Sequence, residues 1–171
     1  NLTALLAEFR RQLDAVRPGL LLTIAAPSSE YFYSQIELGL IPAHLDWVNL
    51  MTYDYHGSWE PAGPTNHQAP LYSSPADPSD GWSADRTVAG YLAGGVPAGQ
   101  LALGVPFFGR GWTGVAAGGN HGLYQAAAGV APGTFEAGVE DFKTLELRGL
   151  PRYWDAGAQA TWLYDGTQFW S

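Results

Sequence analysis

The chain has 171 residues, close to the length of one domain of roughly 150 residues and enough to form a hydrophobic core. Its 22 glycines and 12 prolines are offset by 46% hydrophobic and 13% aromatic residues, so the composition excludes a disordered or collagen-like chain. The formal net charge of -8 argues against nucleic acid or an anionic membrane surface as a partner and favours a neutral one. The absence of cysteine excludes disulfides, a thiolate nucleophile and a cysteine-ligated zinc site.

The first element along the chain is an amphipathic helix over Leu2–Val16, where apolar residues recur at three- and four-residue steps. We expect Asn1 to cap this helix and the pair Pro18-Gly19 to end it. No stretch of the chain approaches the eighteen or so unbroken apolar residues that a membrane span requires. We therefore predict no membrane-spanning helix.

Three short aliphatic runs are typical of strands that are buried on both faces of a parallel sheet. These runs cover residues 20–26, 47–53 and 101–107. Helical patterns over residues 29–40 and 84–93 separate them. Because helices alternate with buried strands, the pattern indicates right-handed βαβ crossovers and an α/β fold.

Two architectures share this alternation. A doubly wound nucleotide-binding fold is not favoured, because Ala26-Pro27-Ser28-Ser29 replaces the glycine-rich turn expected after the first strand. A complete (β/α)8 barrel needs about 250 residues, so three strand–helix units would form part of one. We therefore predict a partial (β/α)8 TIM barrel over residues 1–111.

The pattern changes beyond Trp112 to short segments rich in glycine, alanine and aromatic residues. We expect a helical piece over residues 135–147 and strands at residues 153–154 and 161–164. Residues 112–171 are therefore predicted to form a small inserted α+β subdomain.

Polar and aromatic residues follow the second and third predicted strands at their carboxyl ends, where parallel α/β folds bind ligands. Residues 53–60 include two tyrosines, a tryptophan and two carboxylates, and Arg110 follows the third strand. Aromatic rings stack on the C–H faces of sugars while polar side chains bind hydroxyls, so the composition favours a sugar ligand. The alternatives are that Asp54 caps a turn, that Trp59 is a core residue and that Arg110 forms a salt bridge.

Metal and serine chemistry are not indicated by the sequence. The four histidines lack the spacing of a metal-binding motif. Ser58 lacks the second flanking glycine of a nucleophile elbow. We therefore predict no metal and no cofactor.

The run D-W-V-N-L-M-T-Y-D-Y-H-G-S-W over Asp46–Trp59 closely resembles the sixth-strand motif of the family 18 glycoside hydrolases, the chitinases. The run L-G-V-P-F-F-G-R over Leu103–Arg110 is similar to the family's seventh strand, and residues 153–164 resemble the late part of its α+β insertion. This resemblance extends over essentially the whole chain. It implies a secreted enzyme that cleaves β-1,4-linked N-acetylglucosamine in chitin with retention. The substrate's acetamido oxygen would be the nucleophile and one Glu the proton donor.

The proton-donating Glu of that family ends a D-x-x-D-x-D-x-E motif on the fourth strand, and the 171 residues contain no such spacing. The resemblance implies that the motif precedes a helix like Leu2–Val16, so we expect the chain to begin just after it and to be inactive alone. A second copy or the missing barrel half is then expected to cover the open strands. The alternative functions are a lectin that binds chitooligosaccharides without the acid, and an inactive half-barrel.

The resemblance implies catalytic roles for Tyr53 and Asp54. The Tyr53 hydroxyl would donate a hydrogen bond to the acetamido oxygen, and Asp54 would accept from nearby substrate groups and perturb the proton donor. Strand alternation places Asn49, Met51 and Tyr53 on one face of the second strand. We therefore expect Asp54 to reach the ligand only if the chain bends at the end of the strand.

Four further residues would bind substrate if the resemblance holds. Ala25 and Met51 would form walls of the pocket for the acetyl methyl group. Trp59 would stack on a product-side sugar, and Arg110 would bind sugar hydroxyls or brace the loop. Phe108 stands where the family commonly has tyrosine, so one hydroxyl contact to substrate would be lost.

Overall fold

The structure is a computed structural model, and it describes residues 1–79 and 81–171. Contacts divide the chain into two compact units, each formed by two segments of sequence. Unit 1 comprises Asn1–Thr52 and Ala84–Gly104, and unit 2 comprises Tyr53–Ser83 and Val105–Ser171.

Unit 1 contains a three-stranded parallel sheet with strand order β1-β2-β3. The strands are β1 (Thr23–Ala26), β2 (Trp47–Leu50) and β3 (Leu101–Leu103). In the register, Ala25 lies opposite Asn49, and Asn49 lies opposite Ala102. The parallel α/β arrangement predicted from the three aliphatic runs is therefore confirmed.

Each strand of this sheet is shorter than the aliphatic run that predicted it, and side-chain hydrogen bonds and a proline lie next to the strand ends. Before β1, the Leu22 amide donates to the Asp46 carboxylate at 2.7 Å. After β2, the Thr52 hydroxyl donates to the Gly104 carbonyl at 2.8 Å. After β3, Pro106 has no N–H to donate to a neighbouring strand.

Two of the three helices predicted before residue 112 have the predicted bounds, namely α1 (Leu2–Val16) and α3 (Ala84–Ala93). Asn1 caps α1 as expected, since its side-chain oxygen accepts from the Thr3 amide at 2.8 Å. The helix predicted over residues 29–40 is reduced to α2 (Glu30–Tyr33). Residues 34–43, which follow α2, form turns and a short 3-10 helix and contain one glycine and one proline, both of which are poor helix formers.

The core of unit 1 is mainly aliphatic, with buried residues from the helices and from the strands or their flanks packed together. Its fully or almost fully buried members include Leu6, Ile41, Val48, Leu50 and Tyr91. The polar end of the buried Tyr91 is satisfied, because its hydroxyl donates to the Pro27 carbonyl at 2.8 Å.

Unit 2 is built on an antiparallel sheet with strand order β5-β4-β9-β8-β7, in which β6 also pairs with β4. Its strands are β4 (Phe108–Thr113), β5 (Gly129–Val130), β6 (Val139–Asp141), β7 (Arg152–Asp155), β8 (Ala160–Tyr164) and β9 (Phe169–Trp170). The strands predicted at residues 153–154 and 161–164 are confirmed as β7 and β8. Strand β4 crosses residue 111, and the boundary predicted there between barrel and insertion stays a prediction.

The helix predicted over residues 135–147 is wrong in its first half. There the chain forms β6, and the helix α4 occupies only Phe142–Arg148. The carboxylate of Glu140 on β6 is fully buried and forms an ion pair with Arg148 in α4. Pairing of β6 with β4, which the local sequence does not reveal, therefore decides the structure of this segment.

The core of unit 2 is mainly aromatic, and the polar ends of its buried residues Trp112, Trp162 and Tyr164 are paired. The Trp112 indole N–H donates to the Glu60 carbonyl at 2.8 Å, and the Trp162 indole N–H donates to the His121 carbonyl at 3.0 Å. The Tyr164 hydroxyl donates to a carbonyl as well, that of Val115, at 2.8 Å. These bonds fix the orientation of rings that apolar packing alone would allow to rotate.

Candidate functional site

The segment after β2 bends sharply at Asp54, whose φ of 60° lies in the left-handed region. Aspartate tolerates this conformation better than most residues with a side chain. The alternation of side chains between the two faces of the strand therefore ends before Asp54. The bend that we expected Asp54 to need in order to reach a ligand is present.

Asp54 is paired with Arg110 on β4. The Arg110 Nε–H donates to Asp54 Oδ1 at 2.8 Å, and the two side chains are 12% and 35% exposed, respectively. The Arg110 backbone is held by Ser171 through two hydrogen bonds of 2.8 and 2.9 Å. The salt bridge considered for Arg110 is therefore present, and it joins the loop after β2 to a strand that is itself anchored.

Two aromatic rings contact the arginine of this ion pair, and a third ring contacts one of them. The Arg110 guanidinium lies 5.1 Å from the centre of the Trp59 ring and 5.4 Å from that of Phe108, which are cation–π distances. Tyr53 contacts Phe108 edge-on, with 6.0 Å between ring centres. We call these five residues, Tyr53, Asp54, Trp59, Phe108 and Arg110, the site cluster. Trp59 is 54% exposed, so the alternative that it is a core residue is wrong.

A short turn positions Trp59 over Arg110. The turn is closed by a bond of 3.0 Å from the Glu60 amide to the Gly57 carbonyl, and the Glu60 carboxylate lies 3.0 Å from His56 Nδ1. A Cβ atom at Gly57 would lie 2.7 Å from the Trp59 ring and 3.1 Å from Arg110 Cδ. Because that space is already filled, only glycine at this position allows the Trp59 ring to pack against the arginine.

Ala25 and Met51, the two other predicted site residues, lie in unit 1. Ala25 pairs with Asn49 in the parallel register, and the Met51 amide continues the ladder with a bond of 3.0 Å to the Ala26 carbonyl. Since side chains alternate along a strand, Ala25, Asn49 and Met51 share one face of the sheet. Their expected role as walls of an acetyl pocket stays a prediction.

Four consecutive polar residues of unit 2, Thr65, Asn66, His67 and Gln68, are at most 2% exposed. Burial lowers the pKa of His67, and Asp155, with its carboxylate 3.4 Å from His67 Nε2, opposes this shift. Gln68 contacts the site cluster, and sequence analysis missed it. A run of four polar residues is typical of an exposed loop, so the sequence carries no signal that these are buried.

The site cluster combines the exposed indole of Trp59, the aromatic pair Tyr53–Phe108 and the charged pair Asp54–Arg110, which can form hydrogen bonds. Such an arrangement binds a neutral ring that offers C–H faces and hydroxyl groups. Among residues 1–79 and 81–171, no group of three or more His, Asp or Glu side chains could hold a metal ion. Within the same residues, no helix is long and apolar enough to cross a membrane.

Comparison with known sequences gives a family match over the whole chain, residues 1–171, to the glycosyl hydrolases family 18. Chitinase A1 of Niallia circulans is 40% identical over 98% of this chain and 26% of its own length. Chitinase 63 of Streptomyces plicatus is 38% identical over 79% of this chain and 21% of its own length. The chain therefore spans about a quarter of the length of these relatives.

Solved structures agree with the sequence comparison. The catalytic domain of psychrophilic chitinase B from Arthrobacter TAD20 matches 99% of this chain and 40% of its own, with a TM-score of 0.90 and 39% identity. The Group IV chitinase of Ostrinia furnacalis in complex with allosamidin matches 99% of this chain and 48% of its own, with a TM-score of 0.85 and 26% identity. On the family match, the relatives and these structures, the chain belongs to the glycosyl hydrolases family 18.

Proposed function

We propose that these residues form part of the catalytic domain of a secreted chitinase that cleaves β-1,4 linkages between N-acetylglucosamine units. The observation that carries this proposal is the site cluster, in which Asp54 and Arg110 are paired beside an exposed tryptophan at the end of β2. The names of the relatives, which are chitinases, supply the substrate class.

In the proposed mechanism the substrate's own acetamido oxygen attacks the sugar carbon as the leaving group departs. The Tyr53 hydroxyl donates a hydrogen bond to that oxygen and holds it in the position of attack. Asp54 accepts from the substrate near the acetamido group, and Arg110 orients the Asp54 carboxylate through their 2.8 Å bond. Preorganised groups of this kind lower the barrier because they need no rearrangement during the reaction.

The proton donor of this mechanism is a Glu that these residues do not supply, since they contain no D-x-x-D-x-D-x-E spacing. The partial barrel over residues 1–111 and the α+β insertion over residues 112–171 belong to the same proposal. So does the expectation that a second copy or the remaining barrel segments cover the strands of unit 1. No observation favours the lectin alternative, and the relatives are named as enzymes.

A pair of polypeptides tests the proposed function. The 171-residue chain alone is expected to release no disaccharide from chitooligosaccharides, because it lacks the proton donor. A longer polypeptide that contains the same residues together with an intact D-x-x-D-x-D-x-E motif is expected to release it. Binding of the oligosaccharides by the longer polypeptide without any hydrolysis would contradict the proposal and support the lectin alternative.

Substitution Trp59→Ala in that longer polypeptide is expected to raise KM for long chitooligosaccharides by about tenfold, since loss of an aromatic stacking platform costs about 1.4 kcal/mol. KM for the shortest substrates, which do not reach the Trp59 subsite, is expected to stay unchanged. The measurement is steady-state hydrolysis of oligosaccharides of increasing length.

Trp154 provides a matched control for this prediction, because it is 59% exposed and lies on β7 outside the site cluster. Trp154→Ala is expected to leave KM unchanged at every substrate length. Equal effects of the two substitutions would show that Trp59 has no specific role in binding.

A further inference from the structure

Gln68 is a buried amide that contacts both segments that carry the Asp54–Arg110 pair. Its side chain is enclosed, with only 2% of the residue exposed. Its Oε1 atom accepts from the Asp54 amide at 3.3 Å, and its Nε2 atom donates to the Phe108 carbonyl at 2.8 Å. One side chain therefore connects the loop that carries the carboxylate with the strand that carries the guanidinium.

The backbone of Gln68 strengthens the same connection. Its carbonyl accepts from the Tyr55 amide at 3.0 Å. Gln68 therefore binds the amide of Asp54 and the amide of the residue that follows it. Its amide donates to the Ser171 hydroxyl at 2.9 Å, and Ser171 pairs with the backbone of Arg110. Gln68 thus makes four hydrogen bonds, to Asp54, Tyr55, Phe108 and Ser171, and Ser171 makes two more with the backbone of Arg110.

The Gln68 hydrogen bonds hold the backbone of Asp54 in its left-handed conformation. The left-handed conformation there, with φ of 60°, is less favourable for aspartate than extended or helical backbone. A backbone in that region persists when surrounding bonds determine it, and the Gln68 bonds to the amides of Asp54 and Tyr55 do so. Without them, the Asp54 side chain would change direction relative to Arg110.

Few side chains can make both of the hydrogen bonds that the Gln68 side chain makes. One side chain must accept from an amide and donate to a carbonyl, and a glutamine amide provides both groups. Asparagine is one methylene shorter and cannot span the same two partners. Methionine has the length of glutamine but provides no N–H donor and only a weak acceptor.

We propose that Gln68 is a positioning residue that sets the geometry of the Asp54–Arg110 pair and hence the direction of the Asp54 carboxylate toward substrate. The first part of this proposal rests on contacts within unit 2 alone. The second part rests on the proposed function, because it assigns Asp54 to the reaction.

The first test is made on the 171-residue chain by nuclear magnetic resonance of the arginine Nε–H groups. Arg110→Lys identifies the Arg110 signal by its loss. Gln68→Met is expected to shift this signal and to raise its exchange with water by about 5- to 10-fold, equivalent to the loss of about one hydrogen bond. An unchanged Arg110 signal in a folded Gln68→Met chain would overturn the proposal.

A matched control is Gln100, whose side-chain amide donates to the carbonyls of Pro42 and Leu45 at 3.2 and 2.9 Å within unit 1. Gln100→Met removes a comparable bridge and is expected to leave the Arg110 signal in place. Gln68→Asn provides a second variant, with the same polar groups on a shorter side chain and the same expected shift. If neither Gln68 variant folds while Gln100→Met does, Gln68 is a structural residue and the proposal is wrong.

The second test is kinetic and uses the longer polypeptide that carries the proton donor. Gln68→Met is expected to lower kcat about tenfold with little change in KM, because a bound substrate would meet a misdirected carboxylate. In an Asp54→Asn background the same substitution is expected to lower kcat no further. Independent, multiplicative losses would contradict a role that acts through Asp54.

The two tests distinguish the positioning role of Gln68 from the proposed function of Asp54. If Gln68→Met changes the Arg110 signal but Asp54→Asn leaves kcat unaltered, then the proposed function of Asp54 fails while the positioning of the pair stands. If Asp54→Asn lowers kcat but Gln68→Met changes neither kcat nor the signal, then only the proposal for Gln68 fails.

Discussion

Tyr53→Phe in the longer polypeptide is expected to lower kcat by about 10²- to 10³-fold, which is typical of the loss of one preorganised hydrogen-bond donor to developing charge. KM is expected to change little, because the hydroxyl acts mainly on the acetamido oxygen as it attacks. The ring itself should stay in place, since Tyr53 packs edge-on against Phe108 and that contact does not involve the hydroxyl.

Tyr31 is a suitable control for this substitution. It is 72% exposed and packs edge-on against Phe32 with 5.1 Å between ring centres, so it matches Tyr53 in its ring contact. Tyr31→Phe is expected to leave kcat and KM unchanged. If Tyr53→Phe behaves in the same way, Tyr53 is a packing residue and the mechanism must use another donor.

The largest effect on stability is expected from Arg148→Met. Glu140 is fully buried, and its carboxylate accepts from the Thr134 hydroxyl at 3.0 Å and from the Asp141 amide at 3.2 Å in addition to its ion pair with Arg148. Removal of the cation leaves a buried negative charge with two neutral donors. We expect the free energy of unfolding of the 171-residue chain to fall by about 3 kcal/mol, measured by urea denaturation.

Two further variants show whether the unpaired charge is responsible. The double substitution Glu140→Gln with Arg148→Met is expected to be more stable than Arg148→Met alone, because no buried charge remains. Arg152 is an exposed arginine whose guanidinium lies 3.4 Å from the Thr161 hydroxyl, and its replacement by methionine is expected to change stability by no more than about 0.5 kcal/mol. A double variant that is less stable than the single one would contradict the explanation.

The parts of the fold that follow from local sequence were predicted well. Helix α1 has both an apolar stripe and a capping residue, and β1, β2 and β3 each begin or lie within an aliphatic run. Unit 2 was harder to predict because its pairing is distant in sequence. Strand β4 takes its hydrogen bonds from β5, β6 and β9, so residues 108–113 do not continue the run that begins at Leu101.

In the candidate site too, residues close together in the sequence were predicted, whereas contacts between distant residues were not. Tyr53, Asp54 and Trp59 were identified together because they lie in one short run after a strand. The 2.8 Å bond between Asp54 and Arg110 joins residues 56 positions apart, and the sequence suggested a salt bridge for Arg110 without indicating Asp54 as its partner. Gln68 was missed because its importance depends on burial, and its own sequence context suggests an exposed loop.

The division of the chain into units also bears on the order of assembly during synthesis. The chain passes from one unit to the other after Thr52, Ser83 and Gly104, so neither unit corresponds to a continuous stretch of the gene. Within residues 1–171, all three strands of unit 1 have been synthesised once Leu103 has been added, whereas β4 pairs with β9, which lies at Phe169–Trp170. Residues 53–83 must therefore remain without most of their final partners while the rest of unit 2 is translated. The bond from the Gln68 amide to the Ser171 hydroxyl, which supports the strand that carries Arg110, can therefore form only after residues 53–170 have all been synthesised.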